Sequence, residues 1–407
     1  MKMIAGGVTA AKGFEAASAA AGIKYQGRDD MALIYSAAPC VAAGTFTSNV
    51  VKAAPVIWDR ELIAAGGPVH AAIVNSGIAN ACTGEEGMRY CRQTAEEAGE
   101  RLGIPADSVL VASTGVIGFQ LPMDRVREGV RLLSEARSDS EAAAEAASRA
   151  IMTTDTVNKQ FACRVDADGC EVTIGGMAKG SGMIHPNMCT MLSFVTTDAA
   201  IDKELLQKAV SAIVDDTFNM ISVDGDTSTN DTFVVMANGQ AGNRPITEEG
   251  KSYDAFCEGL RAVCRALAMA LAGDGEGAGK LIESRVEGAD TRENARTLAK
   301  SVITSSLTKA AVFGCDANWG RVLCALGYSG AQFDPDKVDL YFSDGEREIL
   351  IFTKGSAADY SEEEATQILK STKVIIRADM HMGDVSATAW GCDLTYDYVK
   401  INADYRS

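Results

Sequence analysis

Apolar residues recur along much of the chain at the three- and four-residue spacing that is typical of amphipathic helices. The clearest case is 202–216, where the apolar residues from Leu205 to Val214 fall on one helical face. Ser138 and Glu141 are spaced as a capping box for a second helix. The helices predicted from this spacing, beside 202–216, cover 90–102, 123–136, 140–152, 251–272 and 292–309.

Short apolar runs that end at turn residues predict strands at 71–75 and 109–112. A hairpin is predicted from 161–165 and 170–174, because Asp166-Ala-Asp-Gly169 between them is a strong turn sequence. Residues 338–401 are β-rich, with a helix near 361–371. Since helices and strands mix throughout, we expect a mixed α/β or α+β fold.

The 407 residues predict two or three domains. The chain is 47% apolar and 23% charged, which is ordinary for a globular protein and excludes fibrous or wholly disordered classes. No run of apolar residues is long enough for a membrane span, and the first residues do not resemble a secretory signal. Repeats of solenoid length are absent as well.

A formal net charge of −17 argues against a nucleic-acid or anionic-membrane partner. The eleven cysteines are odd in number and lie mostly in apolar or small-residue runs. We therefore expect reduced thiols and a cytoplasmic location rather than a disulfide framework. With no CxxC pair and only three histidines, no metal site is expected.

Two loops resemble known binding motifs but lack the residues that those motifs need. The glycine-rich stretch 273–280 has Asp274 where a phosphate loop needs glycine and Leu281 where it needs serine or threonine. The stretch from Asp224 lacks the glycine and glutamate of a calcium loop, so a hydrogen-bonded turn is expected there. Within 273–280, Glu276 could face a ligand or could be an exposed acid in a turn.

The segment 175–198 carries the candidate chemistry, because a glycine-rich stretch leads into a strand-like run at Cys189-Thr190. A threonine hydroxyl needs a neighbouring base to act as a nucleophile, and the α-amine of an N-terminal threonine can supply it. That amine has a pKa of roughly 7.7–8.0, which suits a general base. An internal threonine acquires such an amine only if the preceding peptide bond is cut.

Long sequence blocks resemble those of the ornithine acetyltransferase family, the glutamate N-acetyltransferases of arginine biosynthesis. The block around the candidate nucleophile, Lys179-Gly-Ser-Gly-Met-Ile-His-Pro-Asn-Met-Cys-Thr-Met-Leu192, resembles the family's self-cleavage site. The resemblance covers essentially the whole chain in the family's order. The other blocks are Gly7–Phe14, Ala43–Asn49, Val74–Gly84, Ser113–Gly118 and Asn318–Arg321.

This resemblance implies self-cleavage between Cys189 and Thr190, giving an α segment 1–189 and a β segment 190–407. Thr190 would then carry an acetyl group from N-acetylornithine to glutamate, and we expect acetyl-CoA to serve as a second donor. The implied fold is an αββα sandwich related to that of self-cleaving aminopeptidases. The resemblance also implies no bound cofactor and a heterotetramer of two α and two β segments.

The resemblance further assigns the site residues. Thr114 and Gly115, expected in a tight turn after the strand 109–112, would form the oxyanion hole. The substrate contacts, beside Thr190 itself, would be Thr153, Lys179, Glu276, Asn402 and Ser407. Because Thr153 and Thr154 are adjacent, the sequence does not decide which of the two points inward.

Two other functions remain open at this point. An N-terminal-threonine amidohydrolase or aminopeptidase would use the same nucleophile but transfer the acyl group to water. A non-enzymatic amino-acid-binding protein would bind ligands without cleavage. The chain also departs from common family residues, with Cys189 in place of alanine before the nucleophile and Ser407 in place of threonine at the end.

Overall fold

The structure is a computed structural model, and it describes residues 1–185 and 191–403. These residues form two compact units. Unit 1 contains Met1–Gly180, 191–219 and Thr227–Leu267, and unit 2 contains Ser181–His185, Met220–Asp226 and 268–403. The segment boundary predicted between 189 and 190 lies outside the described residues and stays a prediction.

Helices and strands alternate along the described residues, which confirms the mixed α/β class. The strands are β1 Lys2–Ile4, β2 Phe14–Ala19, β3 Met31–Phe46, β4 Val69–Ile78, β5 Val109–Val116, β6 Lys159–Ala167, β7 Cys170–Lys179, β8 Leu192–Thr197, β9 Ile221–Ser222, β10 Thr232–Ala237, β11 Leu281–Ala289, β12 Asp339–Ser343, β13 Glu348–Thr353, β14 Ser356–Ala357, β15 Lys373–Asp379 and β16 Val385–Cys392. The helices are α1 Ala54–Ala65, α2 Gly84–Leu102, α3 Met123–Ala136, α4 Glu141–Ala150, α5 Lys203–Val214, α6 Lys251–Gly273, α7 Arg292–Thr304, α8 Ser306–Phe313, α9 Trp319–Gly327, α10 Glu362–Leu369 and α11 Tyr396–Ala403.

The strands of unit 1 pair in the order β1-β6-β7-β8-β10-β3-β4-β5, with β2 also on β3. The long strand β3 pairs with different strands along its length. Its first half pairs with β2 and β4, and residues 41–46 pair with β10. The register with β4 breaks between Tyr35 and Cys40, around Pro39, which cannot donate a ladder hydrogen bond. The break divides the strands of unit 1 into two halves.

These two halves pack face to face, with helices on both outer sides. One buried cluster joins apolar residues of β2–β5, such as Ile34 and Leu110, to Phe194 of β8 and Val234 of β10. The opposite face of β3–β5 packs against α2 and α3. On the far side, Gly259 of α6 lies against β6 and β7, where a side chain would strike Val165 and Ile174. Unit 1 therefore has the expected αββα layering.

Unit 2 contains a mixed sheet in the order β14-β13-β12-β15-β11-β16-β9. Helix α7 packs against β11 and β16, and α10 against β12 and β13. Trp390 on β16 is buried, and its indole N–H donates to Glu283 of β11 at 3.2 Å.

Several predicted elements are confirmed. Helix α3 has the predicted bounds, α6 ends one residue later than predicted, and α5 is shorter than predicted by one residue at its start and two at its end. The hairpin β6–β7 turns on Asp168 and Gly169, which both have positive φ as a two-residue hairpin turn requires.

Other predicted boundaries are wrong. The helix expected over 292–309 is two helices, because Ser305 is extended and its side chain accepts a hydrogen bond from the Thr308 N–H at the start of α8. The cap of α4 is Ser140 rather than Ser138, whose backbone pairs with Ala16 instead. Helix α2 begins at Gly84, six residues before its predicted start. The end of the β-rich region, 396–403, is helix α11.

None of the helices within the described residues is both long and apolar enough to span a membrane. All ten cysteines among the described residues carry free thiols. Five of them are buried, namely Cys40, Cys91, Cys163, Cys264 and Cys392.

Candidate active site

Lys179 is the last residue of β7, and its ammonium group is buried in unit 1 among polar side chains. The Lys179 Nζ donates to Thr153 Oγ1 at 2.8 Å and to Thr114 Oγ1 at 3.3 Å, and it lies 3.9 Å from Asp155 Oδ2. The structure thus brings together three residues that the family resemblance assigned to the site. Of the two adjacent threonines, Thr153 is the one whose hydroxyl accepts a hydrogen bond from Lys179.

Asp155 is a site residue that sequence reasoning missed. Its carboxylate is fully buried and accepts from Lys159 Nζ at 2.8 Å and from the Gly180 N–H at 2.6 Å. Burial alone would raise the pKa of Asp155, but Lys179, Lys159 and the Gly180 N–H outweigh it and lower the pKa to about 2. Asp155 therefore holds a negative charge beside Lys179 at any working pH. The four-residue spacing of Asp155 and Lys159 is the sequence signal that could have identified the pair.

Replacing Asp155 with asparagine removes the carboxylate from two buried lysines, Lys159 and Lys179. Breaking a buried ion pair from one side leaves uncompensated charge, so we expect a loss of about 3–5 kcal/mol in the free energy of unfolding. Urea denaturation measures it. The control is Glu135→Gln, which breaks the exposed pair with Arg131 on α3 and should leave the urea midpoint unchanged. Equal midpoints for Asp155→Asn and wild type would contradict this assignment.

Thr114 and Gly115 lie within β5, not in a turn after it, so that part of the expectation was wrong. They pair with Ser76 and Gly77 of β4. The two backbones approach so closely that a Cβ at Gly115 would lie 2.2 Å from the Gly77 carbonyl carbon. Gly115 also has φ +132°, a conformation that favours glycine. The sequence explained this glycine by a tight turn, whereas in the structure the close approach of the parallel strand β4 requires it.

Glu276 and Asn402 meet in unit 2, where Asn402 Nδ2 donates to Glu276 Oε2 at 2.7 Å. Glu276 is only 6% exposed, which contradicts the alternative of an exposed acid in a turn. Its N–H donates to the Ser181 carbonyl at 3.0 Å, and its carboxylate passes so close to Gly182 that a Cβ there would lie 2.3 Å from Oε2. Gly182 in the sequence block 179–192 therefore makes room for this carboxylate.

The turn predicted at Asp224 is confirmed. The Asp224 carboxylate accepts from the N–H groups of Met183 at 2.6 Å, Ile184 at 2.9 Å and Asp226 at 3.2 Å. Met183 has φ +55°, which is rare for a residue with a side chain, and the Asp224 hydrogen bond holds it there. Among the residues that the structure describes, no group of three or more potential metal ligands is found.

Cys189, Thr190 and Ser407 lie outside the described residues, so their assigned roles stay predictions. The residue that follows Thr190 is described. The Met191 carbonyl accepts from the Thr232 N–H at 2.9 Å, where β8 begins to pair with β10.

Comparison with known proteins places these features in a family. The family model described as the ArgJ family matches residues 15–407. The arginine biosynthesis bifunctional protein ArgJ of Symbiobacterium thermophilum is 55% identical over 409 aligned residues and the full length of both chains. The ArgJ 1 protein of Clostridium acetobutylicum is 51% identical, with 97% of this chain and 96% of that protein covered.

A solved structure is similar as well. The crystal structure of the arginine biosynthesis bifunctional protein argJ from Bacillus halodurans matches with a TM-score of 0.50 and 48% identity. The match covers 97% of that chain but 52% of this one. The matched crystal chain therefore corresponds to about half of the present chain.

Proposed function

Because the chain belongs to the ArgJ family, we propose that it moves an acetyl group from N-acetyl-L-ornithine to L-glutamate in arginine biosynthesis, with Thr190 as the acetyl carrier. The observation that carries this proposal is the full-length match to proteins named for a bifunctional role in arginine biosynthesis. The cluster of the buried Lys179 with Thr153 and Thr114 supports it, because it gathers a cation and two hydroxyl groups in one place.

The first step of the proposed reaction is self-cleavage before Thr190. The Thr190 hydroxyl attacks the carbonyl carbon of Cys189, and hydrolysis of the resulting ester leaves Thr190 with a free α-amine. That amine then accepts the hydroxyl proton when Thr190 attacks the acetyl group of N-acetylornithine. Ornithine leaves, the acetyl ester remains on Thr190, and the amine of glutamate takes the acetyl group in the second half of the reaction.

Each attack produces a tetrahedral oxyanion, and we propose that Thr114 and Gly115 stabilise it. A donor fixed in advance and aimed at that oxygen is worth about 2.7–4 kcal/mol. The close pairing of Gly115 with Gly77 of β4 supports this role, because it holds the backbone rigidly in one place. The contact from Lys179 to Thr114 Oγ1 orients the hydroxyl in addition.

Opposite charges on the substrate require opposite charges in the site. We propose that Lys179 binds the substrate carboxylate, with Thr153 beside it, and that Asp155 keeps Lys179 in place. Glu276, supported by Asn402, would bind the positive amine of ornithine, and Ser407 would contribute its hydroxyl.

The comparison with the Bacillus halodurans structure supports cleavage into segments. Its chain corresponds to about half of this one, as a segment such as 190–407 would, whereas the curated relatives match over their full length. A heterotetramer, a cytoplasmic location and the use of acetyl-CoA as a second donor complete the proposal.

Product analysis with the purified protein tests this function. We expect N-acetylornithine and glutamate to give acetylglutamate and ornithine with ping-pong kinetics, because one acetyl-enzyme serves both halves. Release of acetate in place of acetylglutamate would favour an amidohydrolase, and binding without turnover would favour an amino-acid-binding protein. A parallel reaction with acetyl-CoA and glutamate tests the second donor.

A further inference from the structure

Helix α11 of unit 2 carries Asn402, whose side-chain amide donates to Glu276 at 2.7 Å, but no residue of this helix is buried. Tyr396 is 77% exposed and Val399 is 65% exposed. An apolar core therefore does not hold α11 in place, and polar contacts take over that task. Whatever fixes the helix also fixes the amide that contacts the Glu276 carboxylate.

Two hydrogen bonds tie this part of the chain to the loop 274–280, between α6 and β11. The bond from Asn402 to Glu276 is one of them. The other runs from Thr395 Oγ1 to the Gly277 carbonyl at 2.7 Å. Because both acceptors belong to neighbouring residues of one loop, the helix and the loop could shift together without breaking either bond. A fixed point outside the loop is needed to orient the Glu276 carboxylate.

Asp224 provides such a fixed point. Its Oδ2 accepts from the Tyr398 hydroxyl of α11 at 3.3 Å. The same carboxylate accepts from three backbone N–H groups, those of Met183, Ile184 and Asp226. Donors on both of its oxygens prevent the carboxylate from rotating, so the Tyr398 hydroxyl bonds to a rigid acceptor.

Tyr398 and Asn402 lie on one face of α11, because residues four positions apart are neighbours on a helix. The two residues are also bonded to each other, since Asn402 Nδ2 donates to the Tyr398 carbonyl at 3.0 Å. A change at the Tyr398 hydroxyl is therefore passed along a single helical turn to the amide that contacts Glu276.

We propose that Tyr398 and Asp224 are positioning residues, which orient the Glu276 carboxylate toward the side-chain amine of N-acetylornithine. They act through Asn402 and do not touch the substrate. This proposal rests on the proposed function, in which Glu276 binds that amine.

The two substrates differ at the end of their side chains. N-acetylornithine has an ammonium group there, whereas glutamate has a carboxylate. Opposite charges attract, so a correctly oriented Glu276 carboxylate favours the donor and not the acceptor. With ping-pong kinetics, kcat/KM for each substrate reports its own half of the reaction. Loss of the Tyr398 anchor should therefore lower kcat/KM for N-acetylornithine but not for glutamate.

The experiment measures kcat/KM for both substrates in Tyr398→Phe, which removes only the hydroxyl. Tyr396→Phe is the matched control, because it removes a hydroxyl from the same helix and keeps the ring that contacts Phe313. We expect kcat/KM for N-acetylornithine to fall about threefold to tenfold in Tyr398→Phe, the effect of one hydrogen bond. The value for glutamate should not fall, and Tyr396→Phe should match wild type. No fall for N-acetylornithine, an equal fall for glutamate, or the same fall in Tyr396→Phe would overturn the proposal.

Combination with Glu276→Gln tests whether Tyr398 acts through Glu276. Glutamine keeps an oxygen that can accept from Asn402 but lacks the negative charge. In this background, Tyr398→Phe should lower kcat/KM for N-acetylornithine by less than about twofold further, because coupled residues are not additive. A further loss as large as in the single variant would show that Tyr398 acts independently of Glu276, against the proposal.

Hydrogen–deuterium exchange tests the anchor without relying on activity. Amide exchange over 396–403 should be faster in Tyr398→Phe than in wild type and unchanged in Tyr396→Phe, because only the first variant loses a bond that holds α11. Equal exchange in Tyr398→Phe and wild type would contradict the anchor. A wild type that transfers no acetyl would instead overturn the proposed function and leave the exchange result standing, so the two failures are distinguishable.

Discussion

Replacing Thr190 with alanine is expected to leave the chain uncut and without acetyl transfer. The variant lacks the hydroxyl that attacks the Cys189 carbonyl, so no second amino end forms. The same hydroxyl is the proposed acetyl carrier, so transfer should fall below about 10⁻⁴ of wild type, as when a covalent nucleophile is removed. A denaturing gel reports cleavage, and acetylglutamate formation reports transfer.

Thr190→Ser is the matched control, because serine keeps the hydroxyl and loses only a methyl group. We expect this variant to cleave itself and to transfer acetyl more slowly than wild type. If Thr190→Ala instead gave two bands and an active enzyme, Thr190 would have no part in the mechanism.

Gly115→Ala is expected to lower kcat by about 10²–10³-fold, the effect of losing an oxyanion donor. The added Cβ would lie 2.2 Å from the Gly77 carbonyl carbon and 2.7 Å from the Ile78 nitrogen. Both of these atoms belong to the backbone of β4, so no side-chain rotation relieves the collision, and β5 must shift. The shift also displaces Thr114, whose hydroxyl contacts Lys179.

Gly118→Ala provides the control for this prediction. Gly118 has a positive φ of +88°, like Gly115, but nothing lies within 4 Å of the position of its Cβ. Both variants therefore place alanine at a positive φ, and only Gly115→Ala adds the collision. We expect kcat to fall strongly only in Gly115→Ala, measured by acetyl exchange on protein of verified fold. Equal kcat values for the two variants would contradict a special role for Gly115.

Local patterns predicted the parts of the fold that local interactions determine. Helix α3 and the hairpin at Asp168-Gly169 depend on periodicity and on turn residues, and both are confirmed. The prediction of β structure for 396–403 was wrong, because Tyr396, Tyr398 and Val399 are residues that favour a strand. In the structure, the backbone at Asp397 and Tyr398 lies against Gly277, and an Asp397–Lys400 pair supports the helix. That contact joins residues 120 positions apart, which no local pattern contains.

The residues of the candidate site also fall into those that the sequence identified and those that it did not. Family motifs identified Lys179, Thr153 and Glu276, and the structure gives each of them polar contacts. Asp155 was missed, because its contact with Lys179 depends on burial and on the end of β7, which lies far from it in the sequence. An isolated aspartate in a sequence does not reveal either condition.

The most direct test of the account is N-terminal sequencing of purified protein that exchanges acetyl between N-acetylornithine and glutamate. We predict two amino ends, the genetic one and a second that begins Thr-Met-Leu-Ser-Phe, corresponding to Thr190–Phe194. Fully active protein with the genetic amino end alone would contradict the claim that Thr190 works through an amine of its own.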